Sequence, residues 1–450
     1  MSSDLKSRSH LSSRTLPLAL VAVALFFLAA TSASPNPTRR GPGAPPGKGR
    51  IPNHYIVVLK NSVRNPAAVA AKHARAYDAR ITHVYRSALR GYAATIPSAR
   101  LASLRANAAV RFVARDRKAS VADQSMATGV ERVKAINKTN KGSGVNVAVI
   151  DTGIDVNHPD LAANIVGGTN CSGGRAKNYD DGNGHGTHVA GIIAALDNGI
   201  GVVGVSPQAK LWAVRVLDRT GSGTWSDVVC GIDFVDSKSP AKGGPIAVAN
   251  MSLGGYGVDD GNCGNTVGDA MHMAICRAVA DGVTFVVAAG NSEVDLSDAL
   301  TFAPASYDEV ITVSALADSN GLPCGGGGTT KYGTDDTFAT FSNYATSSAD
   351  QAHLIGAPGV DIYSTWKGGG YQTLSGTSMA SPHIAGAAAL YIAAHPDATP
   401  ATVRDALKAL AEPDDTNFNS ECATKGKQGR YSHTDPSGKH PEPALRADSL

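Results

Sequence analysis

The sequence predicts an α/β protein: a mostly parallel, doubly wound sheet with helices on both faces, preceded by a small α+β module. Three observations carry this. From residue 145 onward, strand-like and helix-like segments alternate, the pattern of a parallel sheet covered by helices. The run 145–150 is β-branched and largely apolar with little period-two alternation, as expected of a strand buried on both faces. Ahead of residue 122 the order is instead strand, helix, strand, strand, helix, strand.

The chain has 450 residues, 42% hydrophobic and 18% charged. It exceeds one typical domain and can bury a sizeable core. A net charge of +3, without a Lys/Arg block or an aromatic-interleaved basic stripe, argues against nucleic acid and anionic membrane surfaces as partners. Lys6, Arg8 and Arg14 precede an apolar run at 16–30, and Thr31-Ser32-Ala33 and Pro35 follow. This is the layout of a secretory signal, and the run is shorter than the roughly 20 residues of a spanning helix. We therefore expect a signal peptide over 1–33, cut near Ala33, and a secreted, extracellular protein with no membrane attachment after signal removal. Residues 34–50, rich in Pro, Gly, Arg and Lys, read as a linker.

In the module at 51–122, strands are expected at 54–59, 82–85, 92–96 and 111–113, with helices at 67–79 and 98–109. This order is the split βαβ, ferredoxin-like pattern. A polar join at 120–127 leads into the main domain, 123–412. Its expected strands are 145–150, 211–216, 246–251, 284–288 and 310–314. Its expected helices are 192–196, 224–235, 267–280, 384–394 and 399–411, the last opening on Thr-Pro. Residues 413–450 read as a polar tail open to disorder or trimming.

Candidate chemistry falls on the loops. In Ser375-Gly376-Thr377-Ser378-Met379-Ala380-Ser381-Pro382-His383, Gly376 permits a sharp turn and Pro382 suits the opening turn of a helix. Ser378 would then meet free backbone N–H groups, a good place to stabilise an anion; ordinary N-capping is the plainer alternative. Asp151 ends the buried run 145–150, where α/β folds place function, although an Asp also caps turns. His185 and His188 are three apart with no Glu between them at the metalloprotease spacing, which weakens a zinc reading. The flanking Gly184 and Gly186 let His185 approach another segment, while His188 faces the helix packing as a structural residue. Right-handed crossovers bring loops after the strands to one edge, and Asp151, Ser252, Asn291 and Ser378 all lie on such loops.

Asp151-Thr152-Gly153, His185-Gly186-Thr187-His188 and Gly376-Thr377-Ser378-Met379-Ala380-Ser381-Pro382 occur in the order Asp, His, Ser. Together they resemble the three signature blocks of the subtilisin-like serine proteases, close to the proteinase K branch, a family for which this order is already documented. The resemblance covers roughly 123–412. It implies Ser378 as nucleophile, His185 as general base and acid, and Asp151 as its orienting carboxylate. Asn291, in Ala288-Ala289-Gly290-Asn291-Ser292, matches the oxyanion-hole residue. Gly221-Ser222-Gly223 and Ser252-Leu253-Gly254 resemble the edge segments that clamp an extended peptide. The small Gly254, Ala288, Ala289 and Gly290 imply an open, uncharged first pocket, and broad cleavage of proteins after apolar or aromatic residues. The module at 51–122, including Gly91-Tyr92-Ala93-Ala94, resembles the family's propeptide, an intramolecular inhibitor removed by a cut near 120–124. A monomer whose chemistry needs no cofactor is implied. Structural calcium stays open, because His353 stands where many relatives carry a carboxylate, with Asp350 close by.

Six cysteines in an exported chain are expected to be mostly oxidised. Cys263 with Cys276 is the first tentative pair and Cys171 with Cys230 the second, leaving Cys324 and Cys422 by elimination. A catalytic thiol is rejected because none lies near the blocks above. Asn137-Lys138-Thr139 and Asn170-Cys171-Ser172 fit the glycosylation pattern. Glycine-rich 325–328 reads as a mobile loop, since no helix or Lys follows as a phosphate cradle requires. An α/β-hydrolase esterase would need a final Gly where Ala380 stands, and the order Ser, Asp, His. A non-catalytic peptide-binding relative is the remaining rival, and all four catalytic positions are intact against it.

Overall fold

A computed structural model describes residues 50–86, 90–117, 128–298, 301–413, 433–435 and 437–450, in two units divided between Ser120 and Val121. The expected signal peptide, nearly all of the 34–50 linker, the processing region 120–124 and Cys422 lie outside these residues.

In the first unit β1 (Arg50–Leu59), α1 (Pro66–Tyr77), β2 (Arg80–Tyr85), β3 (Gly91–Thr95), α2 (Leu101–Arg105) and β4 (Val110–Arg117) follow the expected order. The sheet runs β2-β3-β1-β4 with antiparallel neighbours. Asn65 caps α1 by accepting from Ala68 N at 3.1 Å, with Pro66 at the first helical position. Buried Val57, Tyr92, Ile96 and Leu104 form the core. The helix expected over 98–109 is shorter. Asn107 turns its carbonyl oxygen back to Ala109 N at 3.0 Å and its amide to Tyr77 Oη at 2.9 Å, a local alternative that ends the helix.

The second unit runs α3 (Thr128–Arg132), β5 (Asn146–Asp151), β6 (Ile165–Asn170), α4 (His185–Ala194), β7 (Lys210–Arg215), α5 (Trp225–Asp236) and β8 (Ile246–Met251). It continues with β9 (Gly255–Gly257), α6 (Ala270–Ala280), β10 (Thr284–Ala288), β11 (Thr301–Ala303), β12 (Ile311–Ala317) and β13 (Thr337–Phe338). It closes with α7 (Ser348–Gln351), β14 (Leu354–Pro358), β15 (Ile362–Trp366), β16 (Gly370–Leu374), α8 (Thr377–Ala394) and α9 (Pro400–Leu410). The main sheet is ordered β13-β12-β10-β8-β5-β7-β6, with β14 also on β12. Every neighbour pair is parallel except β12 with β13.

Side-chain alternation on β5 explains why its sequence shows no polar face. Val147 and Val149 join the core that holds Val189 of α4 and Ile384 of α8, while Ala148 and Ile150 join that of Val228 of α5 and Ile275 of α6. The chain builds β6 and β7 on one side of β5, then returns to place β8 on the other. That reversal opens a crevice at the carboxyl ends of β5 and β8, where doubly wound folds bind ligands.

The structure changes four expectations. Helix α4 starts at His185, not at 192, and α8 starts at Thr377, so Pro382 lies inside the helix, past its opening turn. The tail is no loose end over 437–450. Ala444, Leu445 and Ala447 are buried, Ala444 exchanges backbone bonds with Glu412 at 2.7 and 2.8 Å, and Leu445 N donates to Gly356 O at 2.7 Å. The glycine-rich loop is anchored, because Gly325 N donates to Asp336 Oδ2 at 2.8 Å and Gly327 N to Asp335 Oδ2 at 2.6 Å. The hairpin of β15 and β16 was not among the expected strands, although Ile362, Tyr363, Thr365 and Trp366 favour a strand, and β15 packs on α4. Among the described residues no helix is long and apolar enough to cross a membrane.

Candidate active site

Asp151 and His185 meet at the crevice, and Ser378 is bonded to Ser252, which lines the same cleft as His185. Asp151 is the last residue of β5 and fully buried. His185 is the first residue of α4, and its Nδ1 lies 2.9 Å from both Asp151 carboxylate oxygens. Gly186 makes that approach feasible: a Cβ there would collide with Gly153 O and press on Asp151 Cβ. Gly184, at φ +122°, turns the chain into the helix where a side chain would also strike the Trp366 ring. Burial lowers the imidazole pKa, but the Asp151 charge and hydrogen bond, with Asp181 adding to them, outweigh it and hold His185 above its ordinary value.

Asp181 is the organiser that the sequence reading missed. Its Oδ1 accepts from Thr152 Oγ1 at 2.8 Å, Asn183 N at 2.8 Å and Gly184 N at 2.9 Å. Its Oδ2 accepts from Thr187 N at 3.0 Å and Thr187 Oγ1 at 2.6 Å. One buried carboxylate thus ties the end of β5 to the free N–H groups that open α4. The available signal was an Asp four residues ahead of His185. His188 is fully buried and places Nε2 against Ile362 O at 3.1 Å and Gln372 O at 3.0 Å. Burial pushes its pKa down to about 4, so it is a neutral structural imidazole.

Ser378 is the second residue of α8. Pro382 has no N–H to give to the carbonyl four residues back, and that carbonyl, Ser378 O, accepts from Ser252 Oγ at 2.9 Å instead. In return Ser378 Oγ donates to Ser252 O at 3.3 Å. Behind them, buried Ser381 Oγ donates to Asn250 Oδ1 at 2.8 Å, and Asn250 Nδ2 to Ser252 Oγ at 3.0 Å. Asn291 faces the same helix start: its Oδ1 accepts from Thr377 N at 2.8 Å and Thr377 Oγ1 at 2.9 Å. With its oxygen bonded there, the exposed Asn291 has its NH2 group left as a donor.

His185, Gly221, Ser222, Gly223, Ser252, Leu253 and Gly254 line one open cleft of about 850 Å³. Leu217, Trp225, Val228 and Tyr256 also line it, and no motif marked them. Ala288, Ala289 and Gly290 do not line it; they are buried behind Asn291, and Gly290 N donates to Thr377 Oγ1 at 3.0 Å. The structure joins Cys171 to Cys230 and Cys263 to Cys276, and Cys324 is disulfide-bonded as well.

The cluster that holds His353 is a poor donor set for calcium. Asp308, Asp350 and His353 gather together, with His353 Nε2 3.9 Å from each carboxylate. Two carboxylates and a buried imidazole fall short of the six to eight oxygens that Ca²⁺ takes.

Residues 142–433 match the Subtilase family, and residues 54–122 match Peptidase inhibitor I9. Subtilisin amylosacchariticus of Bacillus subtilis subsp. amylosacchariticus is 38% identical over 368 residues, which is 81% of this chain and 87% of that protein. Subtilisin DY of Bacillus licheniformis is 42% identical over 272 residues, 60% of this chain and 85% of that one. A crystal structure of a cold adapted subtilisin-like serine proteinase superposes with a TM-score of 0.52 at 32% identity, covering 72% of this chain and 99% of its own. The chain therefore belongs to the subtilase family, as a serine-type endopeptidase with an inhibitor-type prodomain ahead of its peptidase domain.

Proposed function

We propose that Asp151, His185 and Ser378 form the catalytic triad that hydrolyses peptide bonds in proteins. The observation that carries this is the clasp of His185 Nδ1 by both Asp151 oxygens. It fixes the Nδ1–H tautomer and leaves Nε2 as the base at the cleft. Ser378 Oγ swings from Ser252 O, passes its proton to His185 Nε2 and bonds the substrate carbonyl carbon. The oxygen, now negative, takes hydrogen bonds from Asn291 Nδ2 and Ser378 N. His185 then returns the proton to the leaving amine as the C–N bond breaks, and water releases the acyl group by the same steps.

An extended peptide pairs its backbone with Gly221-Ser222-Gly223 and Ser252-Leu253-Gly254, so binding tolerates many sequences. Leu217, Val228 and Leu253 make the cleft walls apolar. We infer broad cleavage after apolar or aromatic residues; strict cleavage after Arg or Lys in a peptide library would contradict it. The unit matching Peptidase inhibitor I9 acts as an intramolecular inhibitor until the chain is cut near 120–124. The layout of an export signal over 1–33 supports work outside the cell, and we infer that the enzyme acts there as a monomer. Purified mature protein should release amine from a peptide anilide, and Ser378→Ala should abolish it. Full turnover by Ser378→Ala would reject the triad.

A further inference from the structure

Outside the catalytic residues, three chain segments converge on one imidazole. His272 sits in the first turn of α6 and is fully buried. Its Nε2 lies 3.0 Å from Glu309 Oε2, just ahead of β12. Its ring stacks on that of Tyr307, with centroids 4.0 Å apart and planes 4° from parallel. Tyr307 in turn donates its hydroxyl at 2.6 Å to Asp269, the cap of α6. These contacts fix both the ring and its tautomer. An ionised Glu309 only accepts, so the proton sits on Nε2 and Nδ1 carries a lone pair.

That lone pair faces anions. Nδ1 is buried without a hydrogen-bond partner, 3.6 Å from Asp260 Oδ1 and 3.8 Å from Asp259 Oδ1. Backbone N–H groups hold both carboxylates in place. Asp259 accepts from Gly261 at 2.8 Å and Asp308 at 3.3 Å. Asp260 accepts from Asn262, Gly264, Thr266 and Val267. Burial raises the Asp260 pKa, but these bonds outweigh it and hold the acid down to about 2. A proton on Nδ1 would not join the three groups, because both oxygens lie beyond hydrogen-bond reach. A metal ion would. Ligand atoms about 2.1 Å from a tetrahedral zinc stand about 3.4 Å apart, and these three all lie within 4.8 Å of one another.

We propose that His272 Nδ1, Asp259 Oδ1 and Asp260 Oδ1 bind a divalent transition-metal ion, Zn²⁺ above all, with water as the fourth ligand. Glu309 is the outer carboxylate that orients the imidazole. One nitrogen and two oxygens fall short of what Ca²⁺ takes. The ion is structural. Asp259 follows β9 closely, and Gly255 and Tyr256 of β9 line the cleft, so the ion pins that edge of the cleft to α6. The Cys263–Cys276 disulfide joins the same loop to α6 and remains in every ligand variant.

The full chain carrying Ser378→Ala, which prevents self-digestion, is stripped with a chelator and titrated with Zn²⁺ by calorimetry. One site is expected, and Zn²⁺ at about a hundred times its Kd should raise Tm by about 5 °C. Co²⁺ in its place should give the strong visible absorption of a four-coordinate ion. Asp259→Asn should abolish the site. Glu309→Gln, which removes no ligand, should weaken it about 10–100-fold. Asp350→Asn, in the separate cluster of His353, should change nothing. No Zn²⁺ binding, or equal binding by Asp259→Asn and its parent, would overturn the site. Loss of binding in Asp350→Asn alone would do the same, and so would a Tm rise with Ca²⁺ that matches the one with Zn²⁺.

Discussion

Ser252 and Ser378 are bonded to each other twice, Ser252 Oγ to Ser378 O at 2.9 Å and Ser378 Oγ to Ser252 O at 3.3 Å. The first bond exists because Pro382 leaves the Ser378 carbonyl without its helical donor. The second holds the hydroxyl in waiting, beside the cleft that His185 lines.

Removing the first bond should loosen the nucleophile. Ser252→Ala leaves Ser378 O and Asn250 Nδ2 without their partner, a loss of about 1–3 kcal/mol in stability. We expect kcat to fall about tenfold with a smaller change in KM. Denaturant unfolding and steady-state kinetics check the two effects separately.

Asn291→Ala should lower kcat by about 10²–10³ with little effect on KM, a range measured for the matching donor of a subtilisin and not obtained from this structure. Unchanged turnover on a small peptide amide would remove Asn291 from the site.

The acid limb of the pH profile should lie above that of a free imidazole. The base must be neutral, and Asp151 holds the His185 pKa above about 6.5. Asp151→Asn should move the limb of kcat/KM to lower pH and depress kcat severely. The sign for stability is opposite in use. A raised imidazole pKa stabilises the fold fully below about pH 6.5, and that contribution fades as pH rises through the folded-state value.

A different pH response belongs to the buried acids. Burial pushes Glu412 up to about 8 and Asp318 up to about 7, with Arg132 opposing both. Folded protein then keeps protons that the unfolded chain has released above about pH 4, so stability falls from there to about pH 8. Glu412→Gln cannot ionise. Measured in a Ser378→Ala background to prevent self-digestion, its Tm should fall less than the parent's between pH 6 and pH 9. An identical fall would contradict the buried proton.

The sequence reading went furthest where one residue type has few alternatives. The β-branched, largely apolar run 145–150 pointed to a strand covered on both faces, and β5 is that strand. Gly184 and Gly186 signalled a close approach because a side chain at either would collide with its neighbours. Asn250 and Ser381 were illegible because the buried hydrogen bond between them joins segments far apart in sequence, and Asp181 because its bond to Thr152 ties its loop to a separate strand end. The start of α8 was misplaced for a related reason. Pro382 normally marks a helix opening, and only the hydroxyl of Ser252, 126 residues away, makes it tolerable inside one. Trp225 and Tyr256 carried no motif, and only the folded loops show that they line the cleft.

The central claim, that Ser378 is made nucleophilic by His185 and Asp151, is tested most directly by labelling mature protein with a fluorophosphonate and mapping the adduct by mass spectrometry. The account predicts one adduct, on Ser378, formed much more slowly in His185→Ala. Rapid labelling of another residue, or an equal rate on Ser378 without His185, would contradict it.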